Sequence, residues 1–258
     1  MKLLPCHADS YQRRLDTEVL ACEPGPSGFR ITLADTVLYP GGGGQPADGG
    51  TIGGARVLDV IEADAPTYVV DAPVPVGPVA VEVDWARRFD HMQQHTAQHL
   101  ITAIALRDLG LATTAFHLNP ERSDVVLATP VVPPDVLADL SARVNAAIRA
   151  ALPVRARLIT EAELAEVRFR RLPGEHDGTL RVVEIEGVDR NTCGGTHVAN
   201  LAELQLISFI AQENRQGVTR LHWLAGGRAL AALDAATARE AELVGLLRCA
   251  PAEHPAAV

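Results

Sequence analysis

"FDHMQQHTAQHLITAIALRDLG", residues 89–110, decides how this chain divides. Ala97, Leu100, Ile101, Ile104 and Ala105 recur at helical spacing, which predicts an amphipathic helix. Gly110 stands where a helix ends on a left-handed residue, and Asp84 or Asp90 supplies the N-cap. On that helix His95 and His99 lie at i and i+4 and share one face, with His91 a turn earlier on the same row. Two imidazoles so close either bind something together or repel when protonated.

On the N-terminal side of this helix the texture differs. "RITLADTVLYP", "ARVLDVIEADAPTYVVDAP" and "PVAVEVDW" are short alternating or β-branched runs cut by Gly and Pro. They predict a small β-barrel or sandwich over residues 1–86. On the C-terminal side, "HLNPERSDVVLATP" reads as a turn and strand, and "PPDVLADLSARVNAAIRAAL" as a helix with prolines at its tolerant start. "PVRARLIT" is a strand and "EAELAEVRF" a shorter helix. Next come the strand "LRVVEIEG", the loop "VDRNTCGGTHVAN" and a hairpin whose arms flank "ENRQ". A helix from about Ala229 to Cys249 closes the chain ahead of a Pro/Ala tail. Strands and helices without βαβ regularity predict an α+β second domain over residues 87–258.

Bulk properties narrow the class. A hydrophobic fraction of 47% supports a packed core, and aromatic content of 4% leaves the filling to aliphatic side chains. There is no run of about eighteen apolar residues of the kind that spans a bilayer. The opening "MKLLPCHADSYQRRLD" turns polar too early for a signal peptide, so the expectation is a cytoplasmic protein with no membrane partner. Cys6, Cys22, Cys193 and Cys249 are scattered and form no CxxC, in keeping with a reducing compartment. Net charge of −9 disfavours wholesale coating of nucleic acid but leaves room for a local basic patch.

Three constellations carry chemistry. The first joins the helix to the loop "CGGTH", in which two glycines let Cys193 and His197 face one point. One thiolate and three imidazoles match the donor types and coordination number of zinc, one ion per chain. Alone, either pair is weak. Thr96 excludes HExxH, and no HxE…PCxxC deaminase pattern occurs. The second is "PGGGGQPADGG", residues 40–50, which exposes backbone N–H groups to phosphates or else serves as a flexible hairpin. It is no P-loop, for no lysine follows. The third is arginine placement: Arg168, Arg170 and Arg171 in one stretch, and Arg215, Arg220 and Arg228 around the last hairpin. Such groups form a solvated face or, if clustered beside the metal, meet phosphates.

"QQHTAQHL", "CGGTHV" and "ISFIAQENRQGVTRLHWLAG" together closely resemble the editing domain of alanyl-tRNA synthetase and its free-standing AlaX relatives. "GGGGQPADGG" resembles the glycine-rich motif of the longer AlaX type. The likeness runs from about Thr32 to Leu230. Threonyl-tRNA synthetase shares the HxxxH and CxxxH pair but not the glycine-rich neighbour. A class II aminoacylation module does not fit in 258 residues, so a full synthetase is not expected. The resemblance implies a translation-factor-like barrel followed by an α+β editing domain, with zinc held by His95, His99, Cys193 and His197. It implies hydrolysis of mischarged tRNA(Ala), chiefly Ser-tRNA(Ala) with Gly-tRNA(Ala) as a second substrate.

An apolar pocket rejects an added hydroxyl poorly, whereas a pocket that bonds the hydroxyl can spare the alanyl ester. Thr113 and Thr114, expected on the loop after the helix, fall where the family places that contact. Gln98 and Asp189 are candidates for orienting a ligand or handling a proton, with Asp189 equally suited to capping its loop. The tRNA acceptor end would meet Gly41, Gly42, Gly43, Gly44, Gln45 and Asp48, and Arg168, Arg170, Arg171, Arg215 and Arg220. Two other readings stay open: a non-catalytic tRNA- or synthetase-binding module with structural zinc, and a zinc hydrolase of another ester. Oligomeric state is open; a monomer is compatible.

Overall fold

The computed structural model describes residues 4–61, 65–160, 163 and 179–254. A short α1 (Pro5–Ala8) precedes six strands: β1 (Arg14–Gly25), β2 (Gly28–Leu33), β3 (Gly50–Ile52), β4 (Ala55–Ile61), β5 (Thr67–Val70) and β6 (Gly77–Val83). They close into a barrel in the order β1-β2-β5-β4-β3-β6, so no strand edge is left bare. Strand alternation supplies its interior: Ile31 and Leu33 on β2, and Tyr68 and Val70 on β5, are at most 1% exposed. Of these strands β1 had no clear sequence signal, since its polar residues outnumber its buried ones.

The last barrel strand leads directly into α2 (Trp85–Leu109). Asp84 is the N-cap, accepting from the Arg87 amide at 3.1 Å, and Gly110 ends the helix in left-handed geometry at φ 67°. Asp90 is therefore inside the helix, not at its start. The predicted apolar stripe is at most 2% exposed, but residues 91–105 are buried on every side. Two glutamine amides of this central helix find backbone partners: Gln93 Nε2 donates to Glu203 O at 2.7 Å, and Gln94 Nε2 to Ala225 O at 3.0 Å.

Around α2 lie α3 (Pro134–Arg149), α4 (Gly227–Leu247) and two sheets. One sheet runs β12-β13-β8-β7, from β7 (Thr113–Leu118), β8 (Ser123–Leu127), β12 (Ile207–Arg215) and β13 (Val218–Ala225). The other runs β11-β10-β9, from β9 (Val154–Thr160), β10 (Thr179–Ile185) and β11 (Asp189–Thr192). α3 buries Leu140, Val144 and Ile148, one stripe at i+4 spacing, against the core shared with Leu100, Ile104, Val183 and Trp223. The hairpin turn falls at Gln216 and Gly217, φ 51° and 80°, on the last residue of the expected ENRQ and the glycine after it. Two successive positive φ values match the twist of the flanking strands. The predicted helix "EAELAEVRF" and the arginines Arg168, Arg170 and Arg171 lie outside the described residues.

An ion pair joins barrel and helix. Arg88 and Asp48 are fully buried side chains, with Arg88 Nε donating to Asp48 Oδ2 at 2.8 Å. Arg88 also donates to Ser10 O and Val37 O, and the Tyr39 amide donates to the same Asp48 oxygen at 2.7 Å. No helix among the described residues is long and apolar enough to cross a membrane.

Candidate metal centre

His95 and His99 project from one face of α2, as their spacing requires. The loop after β11 brings Cys193 and His197 against them. One ligand atom from each of the four lies within 4.8 Å of every other. The Cys193 Sγ is 3.5 Å from His95 Nε2 and 3.2 Å from His197 Nε2. A tetrahedral zinc with ordinary bond lengths separates its S and N donors by about 3.3–3.6 Å. The donor set and these edges fit such an ion.

Each histidine has its other ring nitrogen engaged. His95 Nδ1 meets Gln45 Oε1 at 2.8 Å, His197 Nδ1 meets Thr96 Oγ1 at 3.1 Å, and His99 Nδ1 meets Asp189 Oδ2 at 3.2 Å. Holding Nδ1 in this way selects the tautomer whose Nε2 lone pair is free for a metal. The partners come from three places: the barrel's glycine-rich loop, α2 itself and β11.

Electrostatics agree with a cation-ready site. Burial opposes charge on His99, yet its hydrogen bonds to Asp189 and Cys193 outweigh that and push its pKa up to about 9. Burial alone would raise the Cys193 thiol; the charges of His95 and His197 and their hydrogen bonds hold it well below the ordinary value. Burial, reinforced by the neighbouring His95 and His99, lowers His197 to about 3. An incoming cation would displace the extra proton of His99 and find Cys193 already a thiolate.

The glycine-rich loop is shaped by this centre. Gly42 and Gln45 exchange backbone hydrogen bonds at 3.0 Å around Gly43 and Gly44, whose φ values are 57° and 85°. A Cβ on Gly44 would stand 2.6 Å from the Phe116 ring, which itself packs 6.3 Å from His95. The tight turn thereby drives Gln45 inward. Its Oε1 also accepts from the Thr196 amide at 3.0 Å, and its Nε2 donates to Thr196 Oγ1 at 2.8 Å. Gly195 is equally constrained, for a Cβ there would lie 2.3 Å from His95 Cε1.

The predicted residues therefore separate. His95, His99, Cys193, His197 and Asp189 come together. Gln98 is buried with its Nε2 donating to Thr102 Oγ1 at 2.9 Å, one turn along α2. Thr113 and Thr114 sit on β7, a strand, and not on a loop. Thr114 Oγ1 donates to Val126 O at 3.2 Å, whereas Thr113 Oγ1 is buried without a hydrogen-bond partner among the described residues. Gln45 and Asp48 are 2% and 4% exposed, which removes them from any surface a phosphate can touch directly. Gly42, Gly43 and Gly44 are exposed and Gly41 half-buried; Arg215 is exposed, and Arg220 is half-buried 3.5 Å from Asp124. Sequence reasoning did not foresee Gln45 or Thr96 as partners of the ligands. Thr96, lying between the two histidines, was the legible signal of the pair.

Residues 180–222 match the family model described as "Threonyl and Alanyl tRNA synthetase second additional domain". The chain is 43% identical over 270 residues to the alanyl-tRNA editing protein Aarsd1-A of Xenopus laevis, covering 98% of this chain and 66% of that one. It is 42% identical over 271 residues to Aarsd1 of Mus musculus, with the same 98% and 66% coverage. To the alanyl-tRNA editing protein AlaX-L of Pyrococcus horikoshii it is 27% identical over 242 residues, covering 88% of this chain and 59% of that one. The chain thus spans 66% of the length of the Xenopus and mouse relatives.

Proposed function

Because this chain belongs to the family of alanyl-tRNA editing proteins, we propose that it is an aminoacyl-tRNA deacylase acting on mischarged tRNA(Ala). Its substrate is chiefly Ser-tRNA(Ala), with Gly-tRNA(Ala) second, and its metal is one zinc ion held by His95, His99, Cys193 and His197. The observation that carries this reading is the convergence of three histidines, each oriented through Nδ1, and Cys193 on one point, with His95 and His197 against the Cys193 sulfur.

Zinc bound there would activate a water for attack on the aminoacyl ester or orient the substrate's amino group. The chain's own residues do the rest. Asp189 keeps the proton on His99 Nδ1, Gln45 on His95 Nδ1, and Thr96 fixes the His197 ring. If all four side chains held the ion tightly no position would be left for substrate or water, so catalysis would require one of them to be displaceable. Thr113 is the better candidate for the serine hydroxyl, since the Thr114 hydroxyl is already bonded to Val126 O. The exposed glycines at 42–44, next to Gln45, support a tRNA contact beside the centre, and exposed Arg215 is a further candidate contact for the acceptor end.

Deacylation of Ser-tRNA(Ala), Gly-tRNA(Ala) and Ala-tRNA(Ala), with and without chelator, tests the reading. The expected result is chelator-sensitive release of serine, slower release of glycine and sparing of the alanyl ester. Equal rates on seryl and alanyl esters would sink hydroxyl recognition. Loss of cooperative unfolding on chelation with no hydrolysis at all would make the metal structural and the chain a binding module.

A further inference from the structure

β10 carries an arginine among buried apolar neighbours. Arg181 is 8% exposed, between Leu180 and Val182 at 8% and 0%. Burying a guanidinium is costly unless its donors are engaged. Here they engage backbone, not a carboxylate, among the described residues. Nε donates to His7 O at 2.9 Å, and Nη1 donates to Cys193 O at 2.7 Å and to Gly195 O at 2.8 Å. The Cys193 amide in turn donates to Arg181 O at 3.1 Å. Nη2 is buried without a hydrogen-bond partner among the described residues.

The same N-terminal stretch touches the ligand loop twice more. The His197 amide donates to Ser10 Oγ at 3.4 Å, and the Ala199 amide to Tyr11 Oη at 2.7 Å. Tyr11 Oη donates to the Glu203 carboxylate at 2.7 Å, and Arg88 Nη1 holds Ser10 O at 2.9 Å. Residues 7–11 therefore run along residues 193–199 as a backing strip, and Arg181 is the cross-piece that binds the two. Neither Arg181 nor residues 7–11 belong to the HxxxH or CxxxH signature.

We propose that Arg181 is a positioning residue, which holds Cys193 in ligand geometry by tying the carbonyls of its loop to the N-terminal segment at His7. The inference rests on the metal-centre reading above. A loop containing Gly194 and Gly195 has large conformational freedom when released. A ligand presented only part of the time lowers apparent affinity by the fraction of time it is competent. Planarity matters, because one guanidinium reaches three carbonyls in two directions, which a lysine ammonium does not reproduce.

The test uses the full chain with Arg181→Met and Arg181→Lys. Zinc affinity is read by competition with a chromophoric chelator, and loop order by amide hydrogen exchange across residues 193–199. Both variants are expected to lose zinc affinity by about 10–100-fold, the range for removing a group that orients a ligand. The kcat for Ser-tRNA(Ala) should fall with KM little changed, and exchange in the loop should rise with or without zinc. A folded Arg181→Met variant that binds zinc as tightly as the wild type, with unaltered exchange, overturns the proposal. If Arg181→Met does not fold, Arg181→Lys decides in the same way. If the wild type binds no zinc, the metal reading fails by itself, and exchange in the metal-free variants still decides whether Arg181 orders the loop.

Discussion

Replacing Gln45 with alanine removes a side chain that the barrel inserts beneath the candidate metal centre. Three hydrogen bonds go with it: from His95 Nδ1 at 2.8 Å, from the Thr196 amide at 3.0 Å and to Thr196 Oγ1 at 2.8 Å. The site is dry enough that water cannot replace them freely, for Gln45, His95 and Thr196 are at most 2% exposed. A net loss of about 1 kcal/mol per hydrogen bond, with orphaned buried groups at about 1–3 kcal/mol, puts the destabilisation at roughly 2–4 kcal/mol. Freed of its Nδ1 partner, the His95 ring loses both tautomer and orientation, and metal affinity should drop by about 10–100-fold. Gln45→Glu keeps both acceptor contacts and forfeits only the donor to Thr196, so it should lose less than about tenfold. Urea unfolding of the metal-free chain measures the first quantity, and chelator competition the second. A Gln45→Ala protein with metal affinity within about twofold of wild type would refute the idea that the barrel orients this ligand.

Three further outcomes follow from the same geometry. Gly195→Ala sets a Cβ 2.3 Å from His95 Cε1, so cobalt-loaded protein should show a weakened and altered visible spectrum while unfolding stays cooperative; a wild-type spectrum would contradict the close packing. Arg88→Met leaves the Asp48 carboxylate buried without its counter-charge and should cost about 3–5 kcal/mol in urea unfolding, with Arg88→Met plus Asp48→Leu recovering much of it; a single-variant cost below about 1 kcal/mol would refute this. His7 and His91 are both held near pKa 4, by burial first and then by Arg181 and Arg88 for His7 and by Arg87 for His91. Unfolding returns them to about 6.5, so the unfolded chain binds more protons between these values and stability must fall as pH drops from about 6.5 toward 4. Urea midpoints measured across that window should decline, less so in His91→Gln; a profile that His91→Gln leaves unchanged would remove His91 from the account.

Much of the architecture was legible because its signals are local. The apolar stripe of α2, its Gly110 terminus and the β-branched runs of the barrel each follow from side-chain periodicity. Choices between equivalent local signals were not legible. Asp84 and Asp90 are both competent N-caps, and Asp84 prevails because β6 ends at Val83 and hands the chain straight to the helix. Thr113 and Thr114 had no local mark of a strand; pairing with β8 makes them one. Gln45 and Asp48 sit in a polar, glycine-rich stretch that suggests exposure, yet both face inward, drawn by His95 and Arg88.

The sequence by itself determined the candidate ligand types, the shared helix face of His95 and His99, and the far pair Cys193 and His197. Those follow from residue chemistry and a period of 3.6, which need no knowledge of the rest of the chain. Only the tertiary structure decided which ring nitrogen each histidine presents and what holds the thiol ligand still. Ring orientation depends on a hydrogen-bond partner, and Gln45 and Asp189 reach their histidines across 50 and 90 residues of chain. Arg181 meets the N-terminal segment across 174. Hydrogen bonds at that separation depend on where folding brings the segments, which no local spacing encodes.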